Sequence, residues 1–173
     1  MVNSNMRPQD VVVLLKIISA NRKSWMNKEL AAELYLSTAE ISNSLQRNAI
    51  SGLFDADHKK IRLQSFTEFL IYGLPYIFPQ TPGGMAKGMP TGHSHEYFKE
   101  KIVDSEIYVW PDVESGYRGL SVQPLYPGAV NAAKMDSKLY LYLALIDVIR
   151  MGKVREKELA IEKLKQEIYE PSY

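Results

Sequence analysis

The chain of 173 residues contains no cysteine, which removes disulfide staples, thiol catalysis, zinc fingers and iron–sulfur ligation from its chemistry. It also lacks an excess of either charge. With 21 Lys/Arg against 20 Asp/Glu, the formal net charge is +1, too little for a protein that coats nucleic acid by charge alone. No apolar run reaches the ~18 residues needed to span a bilayer. The opening MVNSNMRPQD has no apolar segment of the kind an export signal needs. A cytoplasmic protein with no membrane partner is the expectation. What is present is an ordinary globular composition, 46% hydrophobic and 24% charged, enough for a core of its own. The small charge asymmetry lies early: residues 1–65 hold nine Lys/Arg against six Asp/Glu.

The most informative stretch runs from Trp25 to Phe54. Leu30, Ala31 and Leu34 form one apolar stripe at helical period, with Lys28, Glu29 and Glu33 around it. Ser37 with Glu40 three residues later is a capping box, so a second helix starts there. In that helix, taken over residues 38–49, Ile41, Leu45 and Ala49 are expected to face inward. Thr38, Ser42, Asn43, Gln46 and Arg47 are then left outside, as groups able to read base edges.

The pattern E-L-A-x-x-L-x-L-S-x-x-x-[IV]-[SH]-x-[AS]-[LI] is matched by Glu29 to Ala32, Leu34, Leu36, Ser37, Ile41, Ser42, Ser44 and Leu45. It resembles the helix-turn-helix of winged-helix, MarR-like bacterial transcriptional regulators. A late stretch, Ala144 to Arg150 with Gly152, Arg155 and Glu156, resembles a second feature of such proteins. The resemblance implies binding to double-stranded DNA, commonly as a homodimer, and no enzymatic activity. Some proteins of this kind resemble antitoxin partners of nucleotidyltransferase-type toxins, which implies a protein partner as the alternative. One departure stands in the turn, where Tyr35 replaces the usual Gly: either the turn is wider, or Tyr35 packs on the neighbouring helix.

The rest of the chain extends this reading. Pro8 suits a first helical position, and a helix over Pro8–Ala20 buries Val11, Leu14, Leu15 and Ile18. Ser24 or Asn27 is the cap expected for the next helix. Leu53-Phe54, the turn cluster Asp55 to His58, and the alternating Lys59 to Leu63 form a short hairpin. In the resemblance this hairpin is the wing, with Lys59, Lys60 and Arg62 on phosphates; a solvated basic edge is the plainer reading. Ser65 and Glu68 suggest a capping box for a helix ending before Leu74-Pro75.

The expected fold is mainly α with a small β-hairpin wing. Residues 1–74 form the winged helix-turn-helix, 75–135 an irregular Pro/Gly-rich region packed on it, and 136–173 a C-terminal helical pair. In the irregular region Tyr76–Phe78, Ile107–Trp110 and Leu120–Val122 read as short extended pieces. Asp136 or Ser137 caps an almost wholly apolar helix broken by Asp147. In the last helix Val154, Ile161 and Ile168 recur every seven residues beside Ala160 and Leu164, a face for dimerisation or for folding back.

Other chemistry is sparse. His93-Ser94-His95-Glu96 has metal-ligand residue types, but no third ligand is identifiable from the sequence, so it is read as a polar loop and no metal or cofactor is assigned. Pro82 to Gly88 lacks the Gly-Lys-Ser/Thr order of a phosphate loop. Asp112 and Glu114 read as solvated carboxylates, and Asp147, Arg150, Arg155 and Glu156 as an ion-pair cluster that fixes a helix crossing.

Overall fold

The computed structural model describes residues 5–104 and 106–170. It is mainly helical, with a two-stranded antiparallel sheet and a separate three-stranded sheet. The chain forms two compact units, residues 1–69 with 125–139 and residues 70–124 with 140–173. This division departs from the three consecutive segments expected from composition. The reason is that residues 125–139 return to the first unit.

In the first unit, α1 (Pro8–Ala20) packs on both α2 (Asn27–Leu34) and α3 (Thr38–Ile50). Val11 to Leu15 are all 0% exposed, a wholly buried stretch rather than a single stripe, whereas Ile18 lies only half-buried. Pro8 opens the helix, and Asp10 Oδ2 accepts the Arg7 N–H at 2.8 Å. The start of α2 is capped by neither Ser24 nor Asn27. Its Met26 N–H donates to Glu29 Oε2 at 2.9 Å. The box at α3 forms as read: Ser37 Oγ accepts Glu40 N–H at 3.1 Å and Glu40 Oε2 accepts Ser37 N–H at 2.9 Å.

Between α2 and α3 the turn is tight. Tyr35 takes the left-handed conformation (φ 56°, ψ 39°) that glycine adopts at low cost, and Leu36 N–H closes back on Ala31 O at 3.0 Å. A wider turn is therefore excluded, and the Tyr35 side chain is more than half exposed. The return segment clasps this turn. Tyr126 Oη donates to Leu34 O at 2.7 Å. Gly128 comes so close that a Cβ there would stand 3.0 Å from Leu34 O and 3.1 Å from Tyr35 Cβ. Behind it, α6 (Ala129–Met135) packs on α2.

The hairpin is present but short: β1 (Phe54–Asp55) pairs with β2 (Lys60–Ile61), Phe54 opposite Ile61 and Asp55 opposite Lys60. Asp55 builds the turn, its Oδ1 accepting the N–H groups of Asp57 and His58 at 3.1 Å each. Next, α4 (Leu63–Glu68) begins two residues before Ser65, so the expected Ser65–Glu68 box does not form. A π-helical turn over Phe69–Gly73 leads into α5 (Leu74–Ile77). Pro75 is thus accommodated inside helical backbone, and Tyr76 to Ile77 are helical rather than extended.

In the second unit the Pro/Gly-rich stretch is structured. Strand β3 (Met85–Pro90) pairs antiparallel with both β4 (Tyr108–Pro111) and β5 (Tyr117–Ser121), while β4 and β5 pair parallel with each other. Three strands thereby close on themselves. Glycine makes the closure fit. A Cβ on Gly88 would lie 2.0 Å from Trp110 O, and one on Gly119 2.3 Å from Ile107 O. The segment Pro82 to Gly88 is therefore largely strand, not a phosphate loop.

Two helices complete this part of the chain, α7 (Ser137–Met151) and α8 (Val154–Tyr169). Asp136 is the cap of α7, its Oδ1 accepting Lys138 N–H at 3.1 Å and Leu139 N–H at 3.0 Å. As the almost wholly apolar sequence requires, Tyr142 to Ile149 are all buried. On α8 the buried face is Ala160, Leu164 and Ile168. That stripe is already covered within a single chain. Among the described residues no helix is long and apolar enough to cross a membrane.

Candidate nucleic-acid interface

Around the axis of α3 the side chains are turned from the expected orientation. Ile41, Ser44, Arg47 and Asn48 face the interior, whereas Leu45 and Ala49 are only half-buried. Arg47 is the correction with the largest consequence: it is 2% exposed and cannot meet a base edge. Its Nε donates to Asp10 Oδ2 at 2.8 Å and its Nη2 to Asp10 Oδ1 at 2.7 Å, a two-pronged pair. Ser44 Oγ donates to the same carboxylate at 2.7 Å, and Asn48 Nδ2 to Asp10 O at 3.1 Å.

The cause is the acid on α1. Asp10 is 0% exposed, and a buried carboxylate without a cation would carry a heavy desolvation penalty, so α3 turns its polar edge toward it. The hydrogen bonds it donates to Asp10 hold Arg47 in its charged form more firmly than in water, outweighing burial. The sequence held one signal for this pair, an acid inside the run Asp10 to Leu15. Helical periodicity, which ranks Arg as an outward residue, concealed it.

The other residues expected to touch nucleic acid are all at the surface. Thr38, Ser42, Asn43 and Gln46 are exposed on α3, Lys28 is exposed on α2, and Lys59, Lys60 and Arg62 are exposed on and after the hairpin. Thr38, Ser42 and Gln46 follow one another at i, i+4 and i+8, a single stripe with Asn43 beside it. Lys59 sits at the hairpin turn with φ 49°, a left-handed residue that ends the turn before β2.

Ser42, Gln46 and Lys59 are brought together on one open cavity of about 390 Å³ between α3 and the hairpin. Its apolar lining is Trp25, Leu45, Ala49, Phe54 and Ala56, with the Trp25 and Phe54 rings 6.5 Å apart. Trp25 and Phe54 are functional candidates that helical spacing does not reveal, because they come from the segments flanking the helices. Lys28, Thr38, Asn43, Lys60 and Arg62 do not line this cavity.

Elsewhere the expected ion-pair cluster forms in part. Asp147 Oδ1 pairs with Arg150 at 3.1 Å. Asp147 Oδ2 accepts from Thr91 Oγ1 at 2.7 Å and Trp110 Nε1 at 2.8 Å, and Arg150 Nε donates to Phe78 O at 2.8 Å. The pair thus ties α7 to the end of β3 and to β4. Arg155 is exposed, and Glu156 caps α8 by accepting Lys153 N–H at 3.0 Å, so neither joins it. Burial pushes the Asp147 carboxyl up, against the opposing pull of Arg150.

The two histidines of residues 93–96 diverge. His93 Nε2 donates to Glu106 O at 2.7 Å, while His95 Nδ1 accepts Tyr97 N–H at 3.1 Å and its ring meets the Tyr140 ring edge-on. Burial draws the His95 imidazole below its ordinary range, partly offset by Glu96. Asp112 accepts a hydrogen bond from Ser115 in its own loop. Compared with protein-family models, curated proteins and solved structures, the chain matches none of them.

Proposed function

We propose that this chain is a DNA-binding transcriptional regulator of winged-helix type, in which α3 enters the major groove and β1–β2 is the wing. The observation that carries the reading is the exposed polar stripe Thr38, Ser42 and Gln46, with Asn43, on a helix whose start is capped. Short hydroxyl and amide side chains can pair with base edges, Asn and Gln with adenine in particular. Lys28, Lys59, Lys60 and Arg62 supply the phosphate contacts that set register. Arg47 has no part in reading bases.

A homodimer would supply the second half-site. Its seam uses a surface other than the covered stripe of α8. Exposed Tyr72, Tyr76 and Ile77 offer apolar area for it.

The test is selection of bound fragments from a random double-stranded DNA pool, followed by titration in increasing salt. Asn43→Ala and Gln46→Ala are expected to weaken the selected site by about 1–3 kcal/mol each, with little effect on random DNA. No enriched site and no salt-dependent binding would end this reading.

The second reading, a protein-docking module of antitoxin type, draws on the apolar cavity beside the same stripe. Trp25, Leu45, Ala49 and Phe54 could seat a hydrophobic side chain of a partner. Under that reading Trp25→Ala abolishes a hetero-complex on pull-down, and DNA affinity is negligible at moderate salt.

A further inference from the structure

His93, Asp104 and Glu156 are remote in sequence and adjacent in space. A ring nitrogen of His93 and one carboxylate oxygen from each acid all lie within 4.8 Å of one another. His93 and Glu156 are each 8% exposed, and Asp104 is half-buried. We propose that these three side chains bind one divalent transition-metal ion, Zn²⁺ first among them.

Each donor is held by a further contact of the kind that supports metal ligands. His93 Nε2 meets the Glu106 carbonyl, which can only accept, so Nε2 carries the hydrogen and the ring is held in one orientation. Asp104 Oδ1 accepts Glu106 N–H at 3.0 Å, and Glu156 Oε2 accepts Lys153 N–H at 3.0 Å. Gly152 gives Glu156 its room, since a Cβ there would stand 3.1 Å from Oε2. The last turn of α7, through Val148 and Met151, lines the same small recess as His93 and Glu156, and the negative end of its dipole adds to the pull on a cation.

The charges balance. Two carboxylates and a neutral imidazole carry −2, which a divalent ion cancels, whereas without it two acids share a largely buried place. Lys153 Nζ lies 3.7 Å from Asp104 Oδ2, on a side chain 82% exposed that can swing aside. One nitrogen and two oxygens suit Zn²⁺ or Mn²⁺ better than Mg²⁺ or Ca²⁺, which favour all-oxygen sets. Three protein donors leave a coordination position open. His93 and Asp104 also line a cavity of about 780 Å³ with Glu96, Lys99, Tyr117 and Tyr140, a space beside two of the three donors able to hold water or a small ligand.

The test is calorimetric titration of the EDTA-treated, dialysed full chain with ZnCl₂, then MnCl₂ and MgCl₂, with Co²⁺ absorption as a spectroscopic readout. One Zn²⁺ per chain is expected, with Mg²⁺ much weaker. Glu156→Gln, which keeps an acceptor for the Lys153 N–H, and Asp104→Asn should each lower affinity at least about tenfold. His58→Ala, in the β1–β2 hairpin of the first unit, should leave it unchanged. Circular dichroism of the metal-free variants confirms that they fold, and the two carboxamide variants act as independent checks on each other. Absence of saturable uptake, or uptake of undiminished affinity in both carboxamide variants, overturns the proposal.

Discussion

Arg47 and Asp10 hold one another in the interior of the first unit by two parallel hydrogen bonds, Nε to Oδ2 at 2.8 Å and Nη2 to Oδ1 at 2.7 Å. The pair joins α1 to α3 and decides which face of α3 meets solvent. Removing one partner leaves the other charge buried. Arg47→Ala is therefore expected to cost about 3–5 kcal/mol in urea unfolding, and Asp10→Ala a similar amount. Replacing both by apolar residues of like volume, Asp10→Leu with Arg47→Met, should recover most of that loss. A single-variant cost under about 1 kcal/mol would show that the pair is solvated.

Asn43→Ala and Gln46→Ala provide the contrast. Both side chains are exposed, so each variant should unfold within about 0.5 kcal/mol of the parent chain. Any loss of DNA binding then reports on contact rather than on folding. Lys60→Ala is expected to weaken all sequences alike and to reduce the salt slope by about 1.

Tyr35 occupies backbone space that costs an L-residue roughly 1–2 kcal/mol, and its side chain is more than half exposed. Tyr35→Gly should stabilise the chain by about 1 kcal/mol once the greater unfolded-state freedom of glycine is subtracted. Tyr35→Val should destabilise it, because β-branching worsens the same strain. Thermal unfolding of the two variants checks the sign directly.

Gly88 and Gly119 are tested by Gly88→Ala and Gly119→Ala. Each new methyl would collide with backbone carbonyls of β4 or the residue before it. The three strands must separate, with an expected loss above about 3 kcal/mol, near the upper end for a single substitution. Fluorescence of Trp110, read in a Trp25→Phe background, should shift as its buried indole is exposed.

Lys16 Nζ lies 2.7 Å from Asp136 Oδ2 and 3.1 Å from Glu33 Oε2, a cluster that predicts the acid limb of the stability curve. Burial would raise the carboxyl groups of Asp136 and Glu33, but hydrogen bonds from Lys16, Ser19 and the Leu139 N–H for Asp136, and a hydrogen bond from Arg22 with the ion pair to Lys16 for Glu33, hold both below their ordinary values. A depressed acid gives stability that is complete above its unfolded value, 3.8 for Asp and 4.5 for Glu, and is lost as pH falls through the folded value. Unfolding measured from pH 6 downward should weaken below about pH 4.5, with a shallower fall in Asp136→Asn.

Local signals carried the sequence reading wherever a helix could be recognised from its own residues. The Ser37–Glu40 box, the buried stripe of α2, the hairpin turn at Asp55 and the Asp136 cap all depend on neighbours within four positions, so spacing is enough to find them. Strand β3 was hidden because its Gly and Pro composition reads as loop. Its closure with β4 and β5 depends on carbonyls twelve or more residues from the glycines they face, which only the fold brings near. The orientation of α3 was likewise settled by Asp10, thirty-seven positions before Arg47. His93, Asp104 and Glu156 come from three separate segments. Periodicity can say which residues share a helix face; it cannot say which buried charge that face must answer, because that energy belongs to contacts made only after the chain has folded.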